Sequence, residues 1–385
     1  MSDVFIVEAV RTPIGRGKEN GALHNIHPVD LLGSVLSEVC TRAGLDKARI
    51  DDIIAGCVSP IGEQGANLAR LALLKAGFPF EVPGVQLNRM CGSSQQAVHF
   101  ASQAIASGDM DLIIASGVEM MSRVPMGSDW GGLTEDFLAG FPFPLRPMGI
   151  CAEDIAEEWH LSREALDAYS AQSHQRAALA TEAGVFTSQI MPISVSVDGE
   201  TKVVDYDEGF RKNIEVEKMA SLKTIFKENG RITAGNASQI SDGAAAILLA
   251  SERAVAEYGL KKRARIVARI VVGSDPRLTL TGPIPATRKI LEKTGLSIGD
   301  MDLIEINEAF ACVVLAWDKE LGPDMNKVNA NGGAIATGHP LGATGAILMT
   351  KMVHELERTG GRYGLQTMCI GHGMATATII ERVEA

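Results

Sequence analysis

The chain has 385 residues, more than one hydrophobic core usually serves, so two or three cooperating lobes are expected. Hydrophobic residues make up 46% and charged residues only 22%, which suits a packed globule and not a disordered or fibrous chain. The net charge of −11 argues against a nucleic-acid surface and gives no attraction to anionic membranes, so a phosphate-bearing ligand would need local Lys and Arg.

In chain order, residues 4–10 read as a strand from the outset, leaving no room for a signal or transit peptide. No apolar run reaches the roughly 18 residues of a membrane span. The end, Val383-Glu384-Ala385, is not a peroxisomal address, so a cytoplasmic location is expected. Residues 29–43 have helical apolar spacing and residues 50–58 are strand-like. After Val85-Gln86-Leu87-Asn88, residues 91–107 form a small-residue helical pattern, followed by a strand at 111–117. Short strands alternating with helices predict a layered α/β fold. Forty glycines fit its many strand-to-helix turns.

Residues 119–238 differ in kind. Positions 124–149 are rich in Pro, Gly and Met with little periodicity. A helix over 163–183 is capped by Ser162 with Glu164 close behind, and a polar stretch then runs to Gly230. An insertion this long in an α/β core is expected to work as a functional lid. Beyond it the first pattern returns. Residues 300–307 echo 50–57, and 328–331 leading into 342–356 echo the strand and helix around Cys91. The division expected is a first lobe at 1–118 completed by about 239–262, an inserted domain at 119–238, and a second lobe at 263–385, related as a pseudo-repeat.

The six cysteines, Cys40, Cys57, Cys91, Cys151, Cys312 and Cys369, contain no C-x-x-C pair, which argues against a zinc or redox motif. They read as free thiols of a reducing compartment. Cys91 opens a predicted helix in Asn88-Arg89-Met90-Cys91-Gly92-Ser93-Ser94, where free amides and the helix dipole are expected to stabilise a thiolate. His339, in Gly338-His339-Pro340-Leu341-Gly342, supplies an imidazole at a bend, and a Cys–His pair activates a thiol by general-base catalysis. Cys369, in Cys369-Ile370-Gly371-His372-Gly373, offers a second thiol for proton transfer beside a thioester, with turn amides available as an oxyanion hole. Asn307, at the end of a strand over 303–306, is placed to position water or donate to an enolate. The plainer reading of Asn307 and Glu308 is a strand-end helix cap.

Taken together these stretches resemble the thiolase family over nearly the full chain. Asn88-Arg89-Met90-Cys91 matches its N-x-x-C, and Asn307-Glu308-Ala309-Phe310-Ala311 its N-E-A-F-A. Residues 331–345 match N-G-G-A-I-A-x-G-H-P-x-G-x-[ST]-G, and 369–373 match C-x-G-x-G. Arg11-Thr12-Pro13-Ile14-Gly15, Met148-Gly149 and Ala234-Gly235-Asn236-Ala237-Ser238 add to the likeness. The resemblance implies an acyltransferase with the thiolase fold: two βαβαβαββ lobes stacked as five αβαβα layers, plus a loop domain that binds coenzyme A. By motif, Cys91 is similar to the acylated nucleophile, His339 to its base, and Cys369 to the residue exchanging a proton with the α-carbon or leaving thiol. Asn307, through a water, and His339 would form one oxyanion hole, and the amides of Cys91 and Gly371 the other. Arg211 would lie near the adenine and phosphate end of coenzyme A and Ser238 near the pantetheine, with Met148 and Phe310 on the substrate. The resemblance also implies CoA and acyl-CoA as substrates, no permanently bound cofactor, no metal, and a homodimer or homotetramer.

Three positions depart from the family pattern. Pro147 replaces the histidine of many acetoacetyl-CoA enzymes, Thr279-Leu280 replaces a Met-Gly pair, and His372 stands where a small residue is usual. The first two favour thiolysis of longer or bulkier 3-ketoacyl-CoA chains in fatty-acid or steroid degradation over condensation of two acetyl-CoA, the alternative. His372 either tunes the oxyanion hole or points outward. A silent CoA- or lipid-binding subunit is disfavoured by intact Cys91, His339 and Cys369. The second thiol separates the chain from decarboxylating ketoacyl synthases.

Overall fold

The computed structural model describes residues 2–197 and 199–384. It begins with β1 (Val4–Arg11), β2 (Gly15–Arg16), α1 (Pro28–Ala43), β3 (Asp52–Gly56), α2 (Leu68–Lys75), β4 (Gly84–Leu87), α3 (Ser93–Ser107) and β5 (Leu112–Met120). The insertion holds α4 (Glu135–Ala139), α5 (Met148–Glu158), α6 (Arg163–Glu182), the hairpin β6 (Ile193–Val197) and β7 (Glu200–Val204), and α7 (Val216–Ala220). The chain then returns through β8 (Ser241–Ser251), α8 (Glu252–Tyr258), β9 (Ala264–Gly273), α9 (Pro283–Thr294), β10 (Leu303–Ile306) and α10 (Ala311–Leu321). It ends with α11 (Ala334–Thr337), α12 (Thr344–Thr359), β11 (Tyr363–Ile370) and β12 (Met374–Arg382).

Local rules account for the boundaries. In α1, Val29 N–H donates to the His27 ring at 3.2 Å, Pro28 occupies the first turn, and Gly44 at φ +64° closes the helix. Leu32, Leu36 and Val39 line its buried face at helical spacing. In α6, Ser162 Oγ accepts from Ala165 N–H at 3.2 Å, the cap read in the sequence.

The strands lie in the order β10-β11-β12-β9-β1-β8-β5-β3-β4, and the order is symmetric about the β9–β1 junction. On each side the inner two pairings are antiparallel (β1–β8 and β8–β5; β9–β12 and β12–β11). The outer pairings are parallel, β5–β3 and β3–β4 on one side and β11–β10 on the other, where Ile304 also bridges Val328 in parallel. Within the sheet, the described strands of the two halves pair at Phe5↔Arg265 and Ile6↔Ala264.

Helices α1 and α2 cover one sheet half, α9 and α10 flank the other, and α3 and α12 pack together between the two halves. The result is the expected five-layer α/β arrangement. Small residues let α3 and α12 approach: a Cβ at Gly345 would lie 2.3 Å from Gln95 N. The insertion is tied down at both flanks. Arg11 is fully buried, with Nη1 donating to Asp207 Oδ1 at 2.7 Å and Nε to Gln189 Oε1 at 2.8 Å. On the other flank, α6 packs against α10 and α11.

Candidate active site

Cys91, Asn307, His339 and Cys369 come together where β4, β10 and β11 end and α12 is about to begin. Each is buried, at 6%, 0%, 3% and 0% exposure respectively. Cys91 belongs to a buried cluster with Val58, Leu341, Leu348 and Met368, residues drawn from both halves of the chain.

Cys91 does not open α3, as the sequence suggested; it sits two residues before it, in a side-chain-stapled turn. Asn88 Oδ1 accepts from Met90 N–H at 2.7 Å, while Ser93 Oγ accepts from Arg89 N–H at 2.9 Å and donates to Met90 O at 2.6 Å. These bonds hold Met90 at φ +46°, in the left-handed region that disfavours side chains. Gly92 then permits contact with the end of β11, since a Cβ there would fall 2.4 Å from Ile370 Cδ1. The amides of Cys91 itself and of Gly371 face the Cys91 sulfur, and Asn307 faces the Cys369 sulfur.

His339 is held by backbone and side chain alike. Gly338 at φ +113° turns the chain, and the His339 N–H lies 3.2 Å from Gln239 O and 3.1 Å from Ser241 Oγ. Its Nδ1 lies 2.6 Å from Thr344 Oγ1, which donates its one proton to Pro340 O at 2.8 Å. The ring must therefore donate from Nδ1, and Nε2 is left as the acceptor. Asn307 Nδ2 donates to that Nε2 at 3.3 Å, while Asn307 Oδ1 is buried without a partner. An orphaned carbonyl oxygen beside the imidazole is where a water or substrate donor fits.

Burial decides the protonation states. It pushes the Cys91 thiol up to about 11, against the pull of the two amides, and Glu119 adds to the rise. It raises the Cys369 thiol further, with Cys91 contributing, and lowers the His339 imidazole to about 4. The expected helix-stabilised thiolate is thus corrected. At neutral pH the site holds two thiols and a neutral imidazole, because desolvation outweighs the amides and helix start.

The remaining expected residues are distributed more widely. Ala237 pairs with Phe310, Ser238 N–H donates to Ala309 O at 3.0 Å, and Phe310 meets Phe226 edge-on at 6.2 Å. Met148 packs on the same core as Phe310, and a Cβ at Gly149 would strike the Phe226 ring at 2.3 Å. Ser238, Phe310 and Met148 therefore share one wall. Arg211 stands on a different segment, exposed, with its N–H donating to His174 Nδ1 at 3.1 Å.

His372 is exposed at the tip of the β11–β12 turn with φ +65°, so it points outward. Thr279 is buried at φ +55°, a strained state for a β-branched residue, with Oγ1 donating to Pro276 O at 2.8 Å. Glu308 is not a helix cap. It is fully buried and accepts from Tyr169 Oη at 2.8 Å, Ser173 Oγ at 2.7 Å, Asn329 Nδ2 at 3.0 Å and Ile335 N at 3.1 Å. It thus clasps α6 to the loop carrying His339. Sequence reading passed over Thr344 and Ser241, although Thr344 lies within the glycine-rich motif at a serine-or-threonine position. Among the described residues no group of three or more His, Cys, Asp or Glu is arranged to hold a metal, and no helix is long and apolar enough to cross a membrane.

Comparison with known proteins finds similarity along the whole chain. The family models for the thiolase N-terminal and C-terminal domains match residues 4–253 and 260–382. A steroid 3-ketoacyl-CoA thiolase of Mycobacterium tuberculosis is 52% identical, with 100% of this chain and 95% of that protein covered. A 3-oxoadipyl-CoA/3-oxo-5,6-dehydrosuberyl-CoA thiolase of Escherichia coli is 46% identical with full coverage of both. The crystal structure of a Bacillus anthracis acetyl-CoA acetyltransferase superposes with TM-score 0.92 at 40% identity, covering 100% of this chain and 99% of that one.

Proposed function

Because the chain belongs to the thiolase family, we propose that these residues carry out CoA-dependent thiolysis of a 3-ketoacyl-CoA through an acyl group on Cys91. The observation that carries the reading is the His339 ring, fixed by Thr344 with its basic Nε2 towards Asn307, which also faces one of two neighbouring thiols. His339 Nε2 takes the Cys91 proton as the sulfur attacks the 3-keto carbon. The bond between C2 and C3 breaks, its electron pair leaves as the acetyl-CoA enolate, and Cys369 protonates that enolate. Cys369, now a thiolate, takes the proton of incoming CoA, whose sulfur removes the acyl group from Cys91; His339 then returns its proton to Cys91. Charge develops on the thioester and keto oxygens. Asn307 (through a water) and His339 serve one oxyanion, and the amides of Cys91 and Gly371 serve the other.

Thiolysis is preferred to condensation because the relatives at 52% and 46% identity are named for 3-keto substrates. Pro147 and the Thr279-Leu280 turn support an acyl pocket for chains bulkier than acetoacetyl. We assign Arg211 to the adenine and phosphate end of coenzyme A, Ser238 to the pantetheine, and Met148 and Phe310 to the substrate wall. The reading includes CoA as substrate with no resident cofactor, a homodimer or homotetramer, a cytoplasmic location, and lobes at 1–118 with 239–262 and at 263–385 around the insertion. Mass spectrometry after incubation with acetyl-CoA is expected to find an acetyl adduct on Cys91, absent in Cys91→Ala. Normal thiolysis by Cys91→Ala would overturn the mechanism. A rate series from acetoacetyl-CoA to polycyclic 3-ketoacyl-CoA tests the pocket, and a sharp preference for acetoacetyl-CoA would refute the bulky-chain assignment.

A further inference from the structure

Resting on the thiolase reading above, we infer that Glu119 is a positioning residue for the reaction. Its ionised carboxylate fastens the turn that follows His339 to the loop after β3, and sets a fixed negative charge behind Cys91. Glu119 is fully buried near the end of β5. Its Oε2 accepts from Val58 N–H and from Gly342 N–H, both at 2.8 Å. Its Oε1 accepts from Gln64 Nε2 at 2.8 Å and from Ser59 N–H at 3.2 Å, with the Cys57 thiol at 3.8 Å.

The two protein halves meet on this one group. Val58, Ser59 and Gln64 belong to the first half, while Gly342 lies three residues after His339. The approach leaves no slack. A Cβ at Gly342 would lie 2.8 Å from Glu119 Oε2 and 2.7 Å from Cys57 Cα, and a Cβ at Gly117 would lie 2.3 Å from Gly342 O. The His339 loop is gripped at its other end by Glu308, which takes Ile335 N–H. Buried carboxylates thus hold both ends of the segment that carries the base.

The donors also settle the charge. Burial raises the carboxyl pKa of Glu119, whereas its four N–H donors lower it. A protonated carboxyl would need an acceptor, and all four nitrogen partners are donors; only the Cys57 sulfur can accept, weakly. The partners therefore select the carboxylate, in keeping with the rule that a buried charge must be fully hydrogen-bonded. Among the described residues, Glu119 and Cys369 act on or beside Cys91, the His339 imidazole is its proton acceptor in the proposed reaction, and Cys57 also faces Glu119. Glu119 therefore favours the thiol at Cys91 until His339 accepts the proton.

The test is Glu119→Gln in the full-length enzyme, which removes the charge and turns an NH2 towards N–H donors. We expect kcat for thiolysis to fall about 10- to 100-fold with KM for CoA and for the 3-ketoacyl-CoA within about twofold, as for a base displaced by roughly 1 Å. The pH profile of Cys91 alkylation by iodoacetamide should move to lower pH. Unchanged kcat overturns the proposal, and so does a loss of kcat with an unmoved alkylation profile. If the variant does not fold, Gly342→Ala displaces the turn and keeps the charge; a kcat loss with the profile unmoved supports the proposal, and full activity overturns it. The acetyl adduct on wild-type Cys91 is read in parallel. Its absence would remove the thiolase reading itself, whereas its presence with a fully active Glu119→Gln removes only this inference.

Discussion

The same antiparallel strand pair is closed in two different ways in the two halves of the molecule. In the second half β11 ends at Ile370 and β12 begins at Met374, so Gly371, His372 and Gly373 alone make the turn. In the equivalent place of the first half, β5 ends at Met120 and β8 begins at Ser241, and residues 121–240 lie between. Both connections leave the sheet at the end where Cys91 sits. The short one brings a thiol and an amide against Cys91; the long one builds the wall around Met148 and Phe226 and the clasp from α6 to Glu308. One repeated strand pair thus carries a three-residue turn beside Cys91 in one half and a segment of helices and a hairpin in the other.

The largest expected effect tests the long connection's anchor. Arg11→Met leaves Asp207 buried and unpaired, and a broken buried pair costs about 3–5 kcal/mol. Urea unfolding should register that loss, and a change below about 1 kcal/mol would mean the insertion is held elsewhere. Glycines separate the two connections next. Gly373 has φ +79° and would place a Cβ 2.7 Å from Ser274 O, whereas Gly184 in the insertion has φ +70° with Thr187 Oγ1 no nearer than 3.5 Å. Gly373→Ala should cost about 3 kcal/mol and Gly184→Ala only about 1 kcal/mol, because strain is common to both and the clash is not. Equal thermal shifts would show that the tight turn is not packed as described.

Within the tight half, Thr344→Val removes the acceptor of His339 Nδ1–H and frees the ring to adopt the wrong tautomer. Thiolysis kcat should drop about 10- to 100-fold, equal to about 1.4–2.7 kcal/mol, while Thr344→Ser keeps the hydroxyl and most of the rate. Equal losses in both variants would rule out the tautomer argument. Burial holds the imidazole of His339 neutral down to about 4 instead of the usual 6.5, so the base stays unprotonated as pH falls through 6.5. The acid limb of kcat/KM should accordingly appear only on approach to pH 4, and a limb centred near 6.5 would contradict the burial. The smallest effect belongs to His372→Gly, which relieves φ +65° at an exposed position. It should change stability by no more than about 1 kcal/mol and leave kcat unchanged; a loss of rate would return His372 to the oxyanion hole.

Much of the site was legible because it is local. A cysteine followed by Gly92-Ser93-Ser94, a histidine between Gly338 and Pro340, and a cysteine before Gly371 and Gly373 each announce a reactive group at a bend. The sequence reading of His339 as exposed is overturned, since all three are buried. The strand-and-helix alternation and its repetition were readable for the same reason, since periodicity is a property of neighbours in the chain. The start of α3 was misplaced by two residues because Asn88 and Ser93 staple the turn through side chains, which spacing does not reveal.

By itself, then, the sequence marked candidate reactive residues beside glycine-rich stretches and an α/β alternation that recurs on either side of a long segment. Tertiary structure decided what state those residues are in. The thiols are neutral because layers from distant parts of the chain exclude water from them. The basic nitrogen of His339 is Nε2 because Thr344 and Pro340 occupy the other side of the ring. Glu308 and Glu119 became clasps only when donors from far apart in the chain closed on them. Charge and tautomer are set by the dielectric and by hydrogen-bond partners, and both are supplied through long-range packing that no local pattern encodes.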